Sequence, residues 1–273
     1  MQAASRIFQA LQKGGPTFGA WQMLPGRNVS RALAGTGIDW VCVDCEHGNV
    51  DDAAMHEAVS ALAASGVSPI VRIPGNEGWM VKRALDSGAH GVVVPLLNTP
   101  QEVETLVRTA KFPPTGIRGF GSPFPMSTFP SPTPLSSATY LQQANTTLLT
   151  IIQIETSSAL QHVDTIAAIP GVDVLFIGPF DLGINIGHPI VNNVIPKPLE
   201  DAILQVKQAA DTHGKKTGMF CTSGAQSREW ADKGFDMISI AADFAALGEL
   251  VGRTLAEAKG GSKEGGASGP YGR

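Results

Sequence analysis

Residues 148–183 read LLTIIQIETSSALQHVDTIAAIPGVDVLFIGPFDLG, two apolar runs of strand length separated by a segment of helical spacing. The runs are rich in β-branched residues and do not alternate with polar ones, the pattern of strands buried on both faces of a parallel sheet. Between them Leu160, Val163, Ile166 and Ala167 share one helical face, and Pro170-Gly171 stops the helix. A carboxylate stands at the exit of each strand, Glu155 after residues 151–154 and Asp181 after residues 175–179. Parallel neighbours point the same way, so both acids emerge at the carboxyl edge, where such folds carry their chemistry. Facing carboxylates repel unless something positive lies between them. A hard divalent cation held by one or two carboxylates, water and substrate oxygens is the natural occupant. The competing reading makes Glu155 a helix cap and Asp181 an ordinary turn residue.

The same alternation runs through the rest of the chain. Further strands are expected at 17–24, 39–46, 68–73, 91–97, 216–221 and 237–241, with helices at 51–65, 76–87, 99–110, 157–169, 198–213, 226–233 and 243–259. Residues 5–13 read as a short lid helix with Ile7, Phe8 and Leu11 turned inward. Eight strands alternating with helices predict the α/β class, as a closed parallel (β/α)8 barrel of TIM type rather than an open sheet. The length of 273 residues suits one such domain, here residues 1–258. Six of the last 14 residues are Gly with no apolar periodicity, so 259–273 reads as a disordered tail.

The net charge of −4 and the lack of any basic run argue against nucleic acid and acidic membrane surfaces as partners. No apolar run approaches the ~20 residues that span a bilayer. The start has no apolar central region of a secretory signal. Residues 1–38 hold no acid and carry Arg6, Lys13, Arg27 and Arg31, a weak hint of a mitochondrial presequence; a cytoplasmic setting is favoured. Cys42, Cys45 and Cys221 suit a reducing compartment. Within a strand, Cys42 and Cys45 fall on opposite faces, so their C-x-x-C spacing makes neither a bridge nor a metal site.

Asp44 and Glu46 share a face of the second strand, with His47 directly after them. Buried acids must be paired or bound to a cation, and His47 is a proton-transfer candidate because the imidazole side chain is suited by type to give and take a proton near neutral pH. Arg72 ends the third strand among apolar residues, and its guanidinium needs a strand-end acid or a substrate oxyanion. Trp21 either fills the core or walls the site. His56 faces outward in its helical register. Residues 111–145 form a Pro- and Ser-rich excursion of the length that lids and binding loops often have. Dinucleotide, nucleotide and nucleophile-elbow motifs are all missing, and Lys215 and Lys216 start a strand at the rim opposite the acids, which disfavours imine chemistry.

Together Asp39-Trp40, Asp44-x-Glu46-His47, Pro69-Ile70-Val71-Arg72, Leu85-Asp86-x-Gly88, Gly116-Ile117-Arg118-Gly119, Gln153-Ile154-Glu155-Thr156 and residues 176–182 resemble the HpcH/HpaI aldolases, the metal-dependent pyruvate aldolases. The resemblance covers residues 5–255 and keeps the motifs in the family's order. It implies a TIM barrel assembled as a hexamer, a trimer of dimers that exchange their last helices. It implies reversible cleavage of a 4-hydroxy-2-oxo acid to pyruvate and an aldehyde with Mg²⁺, Mn²⁺ or Co²⁺. Position by position, Glu155 and Asp181 become the metal ligands. Arg72 binds the pyruvyl oxygens, and His47, assisted by Asp86, handles the proton of the 4-hydroxyl. Trp21, Gln153, Gly178 and Pro179 lie against substrate.

Departures from the pattern bear on substrate. No basic residue occurs in 122–134, where relatives acting on dicarboxylic compounds usually carry Arg, and Phe180 and Gly183 replace smaller and hydroxylated residues. A shorter, neutral or more apolar aldehyde is therefore expected. The alternatives are a related lyase or synthase using the same enolate (an oxaloacetate decarboxylase, a macrophomate synthase-like enzyme or an acyl-CoA lyase) and a non-catalytic barrel.

Overall fold

The structure, a computed structural model, describes residues 1–260. Eight strands follow one another around a closed parallel barrel: β1 (Thr17–Gln22), β2 (Trp40–Asp44), β3 (Ser68–Arg72), β4 (Gly91–Val94), β5 (Leu149–Ile154), β6 (Val174–Ile177), β7 (Lys216–Met219) and β8 (Met237–Ala242), with β8 closing on β1. The helices in chain order are α1 (Arg6–Lys13), α2 (Arg27–Ala34), α3 (Asp52–Ala64), α4 (Gly78–Asp86), α5 (Pro100–Ala110), α6 (Ser137–Thr147), α7 (Ser157–Gln161), α8 (Val163–Ala168), α9 (Pro179–Asn185), α10 (Lys197–Thr212), α11 (Gly224–Asp232) and α12 (Asp243–Ala258). This is the expected (β/α)8 TIM barrel.

Alternate strand residues sort into two apolar clusters, as the pleat requires. Val41, Val43, Val71, Val92, Val94, Ile152, Ile154, Leu175 and Ile177 pack outward under the helices. Trp21, Trp40, Cys42, Ile70, Val93, Ile151, Val174 and Phe176 fill the interior. Cys42 lies inside and Cys45 against the outer cluster, on the opposite faces expected. A Cβ at Gly19 would overlap the Trp40 ring, so that glycine gives the indole its place inside the barrel.

Several elements differ from their sequence-based outline. Ile7 and Leu11 of α1 belong to the interior cluster. The α1 backbone is tied to Ser68 at the start of β3, and Arg6 to Asp39 just before β2. The helix therefore stops the amino end of the barrel and is no lid over the acids; Phe8 is half-buried. The helix expected over 157–169 breaks at His162 into α7 and α8. The 111–145 excursion contains a helical turn at Pro125–Thr128 and most of α6, which runs on to Thr147. It folds against the flank formed by α3, the end of α4 and the start of β4. Phe129 stacks on His90 at 4.3 Å, and the Thr128 hydroxyl donates to Gly88 O at 2.7 Å. His56 does not face solvent freely: it meets Phe124 edge-on at 5.6 Å. At the start of α12 the Asp243 carboxylate accepts from the backbone N–H groups of Met23 and Leu24 at the exit of β1. The glycine-rich tail falls, from residue 261 onward, outside the described residues.

Candidate active site

Three inward columns climb the barrel wall from apolar to charged. β2 runs Trp40, Cys42, Asp44; β3 runs Ile70, Arg72; β5 runs Ile151, Gln153 and then Glu155 just past its end. Period two therefore delivers Asp44, Arg72, Gln153 and Glu155 to one rim, the carboxyl edge. Asp44 and Arg72 are direct neighbours in the β2–β3 register.

Arg72 is almost wholly buried and its fork is engaged. Nε donates to Asp44 Oδ1 at 2.9 Å and Nη2 to Oδ2 at 2.6 Å, a bidentate pair with a fully buried carboxylate. Nη1 faces Glu46 Oε2 at 3.1 Å as an ion pair whose angles fall short of a hydrogen bond. The guanidinium lies over the Trp21 ring at 4.3 Å, and Trp21 meets Phe176 and Phe220 edge-on. Trp21 is thus buried beneath the charged layer. Asp44 and Glu46 find their counter-charge in Arg72, the first of the two partners considered for it.

Asp44 Oδ1 also accepts from the backbone N–H groups of Glu46 and His47, at 3.1 and 3.3 Å, and so shapes the turn that carries the histidine. The His47 ring is half exposed, with Nε2 3.8 Å from Glu46 Oε1. No hydrogen bond or ion pair joins it to Asp86. That residue ends α4, where its carboxylate accepts from Arg118 Nη2 at 2.9 Å, and Arg118 in turn reaches the Tyr140 hydroxyl.

Glu155 is buried but does not cap α7; that role falls to the Thr156 hydroxyl, which accepts from Ala159 N. Its carboxylate accepts from Leu96 N at 2.8 Å and from the Gln153 amide. Burial pushes its pKa up, and the charges of Asp181 and Glu46 push it further, against the two donors. Glu46 is raised in the same way, by burial and then by Asp44 and Asp181, with Arg72 opposing. Three carboxylates thus feel one another across this rim. Asp181 stands exposed in the first turn of α9, after Gly178 and Pro179. A Cβ on Gly178 would press on Glu155 Oε2 and Gln153 Nε2 at 3.0 and 3.1 Å, so this glycine lets β6 pass close by the acid.

The donors fit a hard cation. Gln153 Oε1 is buried with no partner, an acceptor left open beside Glu155. Among the described residues no group of three or more His, Cys, Asp or Glu gathers into a closed metal cage. An open site of two carboxylates completed by water and substrate is what this donor set allows. Lys215 and Lys216 lie at the far rim, Lys216 paired with Asp236 at 2.9 Å. Leu96 enters the site through its backbone N–H, a donor that no side-chain pattern announces.

A family model described as HpcH/HpaI aldolase/citrate lyase matches residues 18–248. The hydroxypyruvate/pyruvate aldolase of Rhizorhabdus wittichii is 33% identical over 255 residues, covering 93% of this chain and 99% of that enzyme. The 5-keto-4-deoxy-D-glucarate aldolase of Shigella boydii is 32% identical over 82% of this chain and 85% of its own length. Among solved structures, an HpcH/HpaI aldolase/citrate lyase family protein from Burkholderia cenocepacia superposes with a TM-score of 0.82 at 34% identity, covering 92% of this chain and 98% of that one.

Proposed function

This chain belongs to the HpcH/HpaI aldolase/citrate lyase family, and we propose that it is a divalent-metal aldolase that reversibly splits a 4-hydroxy-2-oxo acid into pyruvate, or hydroxypyruvate, and an aldehyde. The observation that carries this reading is the pair Glu155 and Asp181 beside an open Gln153 carbonyl, on the rim where Arg72 is anchored. Glu155 and Asp181 would hold the ion, which as Mg²⁺, Mn²⁺ or Co²⁺ supplies Lewis-acid polarisation of a 2-oxo group.

The chain's own residues do the rest. Arg72, locked by Asp44 and stacked on Trp21, presents a fixed positive charge to the oxygens of the 2-oxo acid and need not reorganise as negative charge grows there. His47, exposed on a turn held by Asp44 and next to Glu46, takes the proton of the 4-hydroxyl in cleavage and returns it in condensation. Gln153, Gly178, Pro179 and Trp21 shape the ground beneath the substrate. Asp86 reaches His47 through no bond within one chain, so we give the local support of the histidine to Asp44 and Glu46.

Met23, Phe180 and Ala245 pack around the interior cluster at this end, and Phe180 lies edge-on to Phe220 at 6.2 Å. These apolar walls favour a short, neutral aldehyde over an anionic one. The lack of basic residues in 122–134 bears on this less than the sequence suggests, because that segment lies on the flank of its own barrel. The three cysteines are free, in keeping with a cytoplasmic enzyme, and among the described residues no helix is long and apolar enough to cross a membrane. Apolar residues exposed along α12 support an assembly of copies, for which we propose the hexamer with exchanged last helices.

The test is release of pyruvate from a 4-hydroxy-2-oxo acid. We expect EDTA to abolish it, Mg²⁺, Mn²⁺ or Co²⁺ to restore it, and Glu155→Gln to resist restoration. Activity untouched by EDTA refutes the metal role. Faster condensation with succinic semialdehyde than with propanal or glycolaldehyde refutes the neutral acceptor.

A further inference from the structure

The Leu96 N–H that holds the Glu155 carboxylate comes from an unusual place. Leu96 has φ of 55°, a left-handed conformation that a branched residue adopts only when its surroundings impose it. The residue is 57% exposed, so packing of its side chain contributes little to holding it there. The constraint comes from Asn98, two residues on.

All four polar groups of Asn98 are engaged. Its Nδ2 donates to Leu96 O at 3.0 Å, and its backbone N–H donates to Glu102 Oε2 at 2.7 Å. Its Oδ1 accepts from the Thr156 hydroxyl at 2.8 Å, and its backbone carbonyl from the Ser158 hydroxyl at 2.9 Å. Glu102 is itself fixed as the partner of Thr99 in the capping box of α5. Thr156 follows Glu155 in the chain and caps α7. Asn98 therefore grips the acid from two directions, through Leu96 on the carboxylate and through Thr156 on the backbone.

We propose that Asn98 is a positioning residue for Glu155: by locking Leu96 left-handed and tethering Thr156, it fixes the direction in which this carboxylate meets a cation. The inference rests on the metal role given to Glu155 above. Outer partners that orient a ligand typically change metal affinity by roughly 10–100-fold when removed.

Asn98→Asp separates the two links. The aspartate keeps an acceptor for the Thr156 hydroxyl and has no donor for Leu96 O. Mn²⁺ binding to metal-stripped protein, measured by titration calorimetry, should weaken about tenfold or more in Asn98→Asp and in Asn98→Ala. Thr156→Ser, which retains the hydroxyl, should stay within about twofold of wild type, a rescue on the scale of that same outer-shell effect. A lowered melting temperature in Asn98→Asp with Mn²⁺ affinity unchanged would mean a merely structural residue and overturns the proposal. A crystal structure of metal-free Asn98→Asp gives the second readout. Leu96 still left-handed, with its N–H still on Glu155, also overturns it. Wild type and Glu155→Gln binding Mn²⁺ equally would instead defeat the metal role of Glu155, and the crystal structure would then decide the positioning alone.

Discussion

At the scale of single residues, the site is defined by which charges have partners. Arg72 and Asp44 neutralise each other out of water, and removing the arginine leaves the Asp44 carboxylate buried without its counter-charge. Arg72→Met should therefore lower unfolding stability by about 3–5 kcal/mol, the usual penalty for an uncompensated buried charge. Adding Asp44→Asn should recover most of that loss. Urea midpoints of the two single variants and the double variant check this, and additive penalties would refute the coupling. The acids, Arg72 and His47 are legible in the sequence because strand period and strand ends place them on one rim without any knowledge of packing. The partner of each is less legible. Asp86, assigned to His47 by resemblance, is held by Arg118, and the donor to Glu155 is a backbone group whose left-handed geometry leaves no mark on composition.

At the scale of elements, His90 joins three of them. Its Nδ1 meets the Ser68 hydroxyl at 3.1 Å, Nε2 donates to Thr128 O at 2.9 Å, and its ring stacks on Phe129. These partners are uncharged, and burial pushes the imidazole down to about 4 from an ordinary 6.5. Below pH 6.5 the unfolded chain therefore takes up a proton that the fold refuses until about pH 4. Stability is intact above pH 6.5 and should fall by about 2 kcal/mol by pH 5, because a tenfold difference in proton affinity is worth about 1.4 kcal/mol. His90→Gln, which keeps a donor for Thr128 O, should flatten this portion of the pH profile of urea unfolding. An equal slope in both proteins would show that other groups set it. The excursion anchored by His90 was legible as an insertion from its prolines and length. Its resting place was not, because docking on a flank depends on contacts that period and propensity do not encode. The same limit explains α1: its apolar face shows that it is covered, not which end of the barrel covers it.

At the scale of the whole molecule, α12 is the element its own barrel does not bury. Phe244, Leu247, Leu250, Val251 and Leu255 are each more than half exposed, a stripe that isolated soluble chains rarely display. If the proposed hexamer forms, replacing Leu247, Val251 and Leu255 with Ser should convert it to smaller species by light scattering, with the barrel's circular dichroism preserved. A wild-type protein already monomeric at tens of micromolar would refute the exchange of last helices. The barrel as a whole was the most legible level, since eight repetitions of one local pattern leave few ways to close. With Ile7 and Leu11 packed against the interior cluster at its base, side chains fill the barrel up to the charged layer, and the way to and from the acids lies over the carboxyl rim. Whatever reaches the acids must leave past them again, so a lingering product stands in the doorway of the next reactant.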